Sequence, residues 1–113
     1  LATFETIRNL AAQGPCVIIG RCADYILRDH PDCLHVFIHS DVEHRAERIV
    51  RVYGETKQTP QKRLTDKDNK RRVYYKHYTG RNWGQAQNYD ICLNTGTIGV
   101  ETAAEIIVSL VSD

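Results

Sequence analysis

The chain has no methionine, one tryptophan, two phenylalanines and three prolines in 113 residues. It also lacks any apolar run near the roughly 20 residues of a membrane-crossing helix, which excludes such a span within these residues. None of its four cysteines, Cys16, Cys22, Cys33 and Cys92, forms a CxxC pair. That removes the spacing on which zinc ribbons and thioredoxin-like sites depend, and no metal site is expected. The cysteines lie in or beside apolar runs, so the expectation is buried thiols in a reducing cytoplasm. No signal peptide, repeat or low-complexity segment is visible. A start at Leu1 without methionine reads as part of a longer protein.

What is present is an ordinary soluble composition, 42% hydrophobic and 26% charged, with net charge +1. The near-neutral total hides an asymmetry. Residues 57–81 carry nine Lys or Arg against Asp66 and Asp68, a net +7, which leaves −6 for the remainder. A basic segment on an acidic body suggests that an anion is met at one place.

Apolar periodicity then organises the chain. Phe4, Ile7, Leu10 and Ala11 predict a helix stopped by Gly14-Pro15, and "CVII" from Cys16 predicts a first strand. "RCADYILRDH" predicts a short helix before Pro31, and "CLHVFIH" a second strand. "SDVEHRAERIVRVYG" predicts a helix with Ser40 and Glu43 at capping-box spacing and Gly54 as its stop. "DICLN" predicts a third strand. Val100, Ala103, Ala104, Ile107, Val108 and Val111 predict a last helix packed on the sheet. Alternating strands and helices imply an α/β domain with a parallel sheet and flanking helices. The polar segment between the second and third strands reads as an appended lid.

Ligands of open α/β sheets bind beyond the carboxyl ends of the strands. Gly20-Arg21, His39-Ser40-Asp41 and Asn94-Thr95-Gly96 occupy such ends. Arg21 suits a phosphate or carboxylate clamp, or equally a surface pair with Asp24. Arg45, Arg48 and Arg51 share one helix and could be a solvated face supported by a Glu47–Arg51 pair. In "RLTDKDNKRRVYY", helical spacing brings Asp68, Arg71, Tyr74 and Tyr75 toward one side. Such a group suits a nucleotide, although a charged helix with inward tyrosines has the same pattern. His39 and His44 read as structural or surface residues.

Four stretches, "VIIGRCADYIL", "DVEHRAERIV", "DKDNKRRVYYKHYTGRNWG" and "NYDICLNTGTIGVE", together resemble the cytidylate kinase-like proteins, a branch of the P-loop nucleoside monophosphate kinases. The resemblance implies the P-loop NTPase type of parallel sheet with a helical lid near 55–88, and residues 1–113 as the C-terminal part of one such domain. It implies phosphoryl transfer from ATP, with Mg2+, to a nucleoside monophosphate, CMP or dCMP. A Gly-Arg-Asp in that family holds the acceptor phosphate and the cytosine; Gly20-Arg21 matches, and Cys22 replaces the aspartate. Of the lid pattern Arg-Asp-x-x-Asp-x-x-Arg, Asp68 and Arg71 match the second half. Leu64-Thr65 replace the first pair, with Arg63 one place off. Arg45 and Arg48 match arginines that approach the triphosphate. The implied catalytic residues are therefore Arg45, Arg48 and Arg71, and the implied substrate-binding residues Arg21, Asp24, Asp68 and Arg71. No GxxxxGK[ST] loop occurs, so the donor-phosphate residues are unassigned and this stretch alone is expected to be inactive, with an exposed apolar sheet edge.

Two other readings compete. A nucleotide-binding or sensing protein could keep the fold without turnover. A nucleic-acid module could use the basic 57–81 segment with Tyr74, Tyr75, Tyr78 and Trp83 as stacking surfaces, against which the interleaved Asp66 and Asp68 argue.

Overall fold

A computed structural model describes residues 2–111. The order of elements is α1 (Ala2–Gln13), α2 (Ala23–Ile26), β1 (Val36–His39), α3 (Val42–Tyr53), α4 (Pro60–Thr79), a 3-10 turn (Ala86–Asn88), β2 (Ile91–Asn94), α5 (Thr95–Ile98) and α6 (Val100–Val111). The architecture is a mostly helical α/β arrangement around a two-stranded parallel sheet, with Val36 opposite Ile91 and His39 opposite Asn94. The start of the ladder is pinned by Asp90, whose side chain accepts from the His35 N–H at 2.7 Å while its own N–H donates to the His35 carbonyl.

The expected first strand does not form. Residues 15–19 have no regular secondary structure, with Val17 90% and Ile19 87% exposed. Ile18 between them packs against the main core. The out-in-out alternation is that of a strand, but a strand exists only where a neighbour accepts its hydrogen bonds. The last helix departs in the same way. α6 forms as its periodicity predicts and buries Ala103, yet Val100, Val108, Leu110 and Val111 are exposed, so its apolar face is not covered. Cys16 and Cys92 are exposed too, against the expectation of four buried thiols; Cys22 alone is buried.

Two apolar clusters hold the chain together. The larger joins Ile7 of α1, Cys22 to Leu27 around α2, and Tyr75 of α4, with Phe4, Cys33, Tyr78 and Trp83 packed against it. The smaller joins Ala46 and Ile49 of α3 to Leu64 of α4, making these helices a hairpin. Each Ile or Leu so buried stabilises by about 1.5–3 kcal/mol. The cap of α3 lies one residue later than expected: Asp41, not Ser40, accepts the His44 N–H at 2.8 Å. Gly54 stops that helix as predicted, its N–H donating to Val50.

α4 explains why the excursion looked featureless. Its composition is polar on nearly every side, but Leu64, Asp68, Arg71, Tyr75 and Tyr78 recur at spacings of four, three, four and three, which places them along one side of the helix. Two of these five are charged, so hydrophobic periodicity is weak there. After Gly80 the chain returns to the sheet through Trp83, whose ring meets Phe37 of β1 edge-on at 5.5 Å.

Candidate functional site

Arg21 stands on an unusual turn. Arg21 and Cys22 have φ of 60° and 59°, and Gly20 before them 69°. The Ala23 N–H closes the turn onto the Gly20 carbonyl at 3.2 Å. Two left-handed residues in succession are the pattern of a type I′ turn, normally filled by Asn or Gly. An arginine and a cysteine there cost about 1 kcal/mol or more each. The surrounding contacts must hold it. Cys22 is 5% exposed, and Ala23 and Ile26 beside it are in the core. Arg21 itself is exposed, and among the described residues its guanidinium makes no hydrogen bond or ion pair.

Asp24 does not pair with Arg21 on the surface. Its carboxylate accepts the Tyr75 phenol at 2.7 Å, a bond that joins residues 51 apart and ties α2 to α4. Burial, and then the Asp24 charge, pushes the Tyr75 hydroxyl well above the ordinary phenol range. Tyr89 faces the same carboxylate and is pushed up to about 12, again chiefly by burial. Both phenols are therefore neutral at physiological pH, and Tyr75 donates to the Asp24 carboxylate.

The second group lies between α3 and α4. Arg45 donates two bonds of 2.7 Å to the two oxygens of Asp68, and Arg71 adds a third of 3.2 Å. This parallel fork is the strongest geometry available to a guanidinium and a carboxylate. The Asp68 side chain is only 17% exposed. The Arg45 bonds, more than any other influence, hold its carboxyl below the usual carboxylate range. Arg48 is one turn along from Arg45, exposed and, among the described residues, without a partner. The structure thus brings Arg45, Asp68 and Arg71 together and places Asp24 elsewhere, with Tyr75 and Tyr89. Tyr74 packs on Tyr78 rather than joining Arg71.

The third place lies at the carboxyl ends of the strands. Asn94 accepts the Gly96 N–H, and the His44 ring nitrogen Nδ1 lies 2.7 Å from Asp41. A Cβ at position 96 would sit 2.5 Å from the Ser40 hydroxyl oxygen, so glycine is needed for the approach. His39 and His44 are both exposed, as expected of surface residues.

Residues 1–97 match the model of the cytidylate kinase-like family. The chain belongs to this family. A solved structure of an uncharacterized protein from Eubacterium ventriosum is similar to it at 33% identity with a TM-score of 0.88. The match covers 96% of the present chain and 62% of the other, so the chain spans less than two thirds of that protein's length. The comparison with curated proteins gave no match. Helical spacing disclosed the approach of Arg71 to Asp68, whereas the bonds from Arg45 to Asp68 and from Tyr75 to Asp24 were not foreseen. The legible signal for those bonds was the four-three repeat on α4.

Proposed function

We propose that the full-length protein transfers the γ-phosphoryl group of ATP to a nucleoside monophosphate, CMP or dCMP. The observation that supports this best is Arg21, an exposed guanidinium without a partner among the described residues, on a strained turn in a member of this family. Strain of this kind clusters where a side chain must be aimed. Arg21 binds the acceptor phosphate through two parallel bonds and offsets its charge, so that a phosphate oxygen can approach the γ-phosphorus. That oxygen forms the new P–O bond while the bond from phosphorus to the bridging oxygen of ADP breaks. The acceptor phosphate is already anionic near neutral pH, so no general base is assigned.

Arg45, Arg48 and Arg71 supply positive charge around the group in flight, the main source of barrier reduction in phosphoryl transfer. Arg48 is free to do so at once. Arg45 and Arg71 do it while sharing, or after releasing, Asp68, which then becomes available to a nucleotide hydroxyl. Residues 1–113 contain no GxxxxGK[ST] loop, and the described residues hold no group of three His, Cys, Asp or Glu fit for a metal ion. No residue of this stretch is assigned to magnesium, and no step is routed through it.

The test is phosphoryl transfer by the full-length protein with magnesium-ATP and a panel of ribo- and deoxynucleoside monophosphates. Transfer to a cytidine monophosphate is expected. Folded protein that binds a monophosphate and transfers to none would replace the kinase with a nucleotide-binding relative. Binding that ignores mononucleotides and weakens steeply with salt would replace it with a nucleic-acid module.

A further inference from the structure

We infer that Asp24 and Tyr75 are positioning residues, which hold the left-handed turn at Gly20–Cys22 and so aim Arg21. The inference deepens the proposed function and rests on its reading of Arg21 as the acceptor-phosphate clamp. Asp24 is reassigned by it: the carboxylate is spent on the protein and does not read the nucleotide.

Three observations converge. The turn is held in a conformation that Arg21 and Cys22 would leave if free, because both have positive φ without being glycine. The residues directly after it, Ala23 to Ile26, form one short helical turn, too short to hold itself in water. The remaining constraint is tertiary, and the 2.7 Å bond from Tyr75 is a polar part of it, beside the Tyr89 phenol that faces the same Asp24 carboxylate. Tyr75 sits on α4, seven residues beyond Asp68, so the two side chains share one side of the helix about 10 Å apart along its axis. Asp68 on that side holds Arg45 of α3. α4 is thus a single strut fastened at one point to the lid arginines and at another to the turn under Arg21. A movement of α4 against either contact changes the spacing of the positive groups that the acceptor and the transferring phosphate would meet.

Tyr75→Phe removes the hydroxyl and keeps the ring in the core. The first measurement is CMP affinity by calorimetry in the full-length protein, for Tyr75→Phe, Arg21→Ala and the double variant. Loss of a hydrogen bond to a charged group predicts about tenfold weaker binding from Tyr75→Phe alone. In the Arg21→Ala background the same change should move affinity by less than about twofold, because the group it aims is gone. An equal loss in both backgrounds, or none in either, overturns the inference. Unchanged affinity in Arg21→Ala is a different failure, that of the proposed site itself.

A second readout needs no nucleotide. Cys22 is itself the last residue of the turn and is buried, so its alkylation by iodoacetamide, followed peptide by peptide by mass spectrometry, reports opening of the turn. Tyr75→Phe should accelerate labelling of Cys22 about five- to tenfold relative to the exposed Cys92, by the loss of one such bond. Equal Cys22 rates in the two proteins would overturn the inference whatever the nucleotide does.

Discussion

The α3–α4 hairpin and the segment 15–19 invert the usual expectation of which part of a chain folds most securely. The hairpin is rich in charge, yet Ala46, Ile49 and Leu64 are buried and Asp68 is bound by two arginines. The segment 15–19 is the most apolar part of the N-terminal half, yet two of its side chains face water almost completely. The difference lies in where the partners come from. A hairpin meets its own other half within about twenty residues, whereas a strand needs a neighbour with free backbone groups. Apolar pattern therefore records what a segment requires, and burial records whether this stretch of chain supplies it.

The sharpest way to break the comparison is to place charge on the exposed segment. Val17→Lys with Ile19→Lys should change the stability of residues 1–113 by less than about 0.5 kcal/mol, since both positions are solvated. It should also reduce self-association of that stretch, read by sedimentation. In the full-length protein, if further chain covers these residues, the same pair should cost about 3 kcal/mol or more in denaturant unfolding. An equal, small cost in both would show that the segment is meant to face solvent.

A smaller effect is expected inside the hairpin. Asp68→Asn keeps the shape but removes the charge that Arg45 and Arg71 share, and should cost about 1–2 kcal/mol after allowance for partial exposure. For a domain of this size that lowers Tm by about 4–8 °C per kcal/mol. The pH dependence follows with a definite sign. The Asp68 carboxyl is held below its ordinary value in the fold, so its contribution is complete above the unfolded pKa of about 4 and is lost as pH falls through the lower, folded value. Acid unfolding of Asp68→Asn should accordingly be less steep than that of the parent. Least of all should Arg48→Ala disturb the fold, with a change within about 0.5 kcal/mol, because its guanidinium is exposed and unpartnered among the described residues. Its predicted loss is in transfer rate alone.

Much of the fold was legible because local rules and tertiary outcome agreed. The capped α3, its stop at Gly54, β1, β2 and the periodic α6 all formed where pattern placed them. Of the candidate site groups, spacing brought Asp68 and Arg71 together, and the structure joins them. Tyr75 and Arg45, the distant partners of Asp24 and Asp68, lie 51 and 23 residues away, and no local propensity encodes such a distance. The helix that supplies or receives both partners hides its inward side by putting charges in it. Ser40 misled for a related reason: the residue with the right spacing to Glu43 was beaten to the cap by Asp41, whose carboxylate is the stronger acceptor for the His44 N–H.

The central claim is that Arg21 is the anion clamp, and CMP affinity of full-length Arg21→Ala tests it most directly. Loss of a bidentate, charge-assisted contact predicts binding at least about tenfold weaker, with an unaltered circular dichroism spectrum and melting curve. Unchanged affinity in a folded variant would remove Arg21 from the site and the proposed acceptor geometry with it.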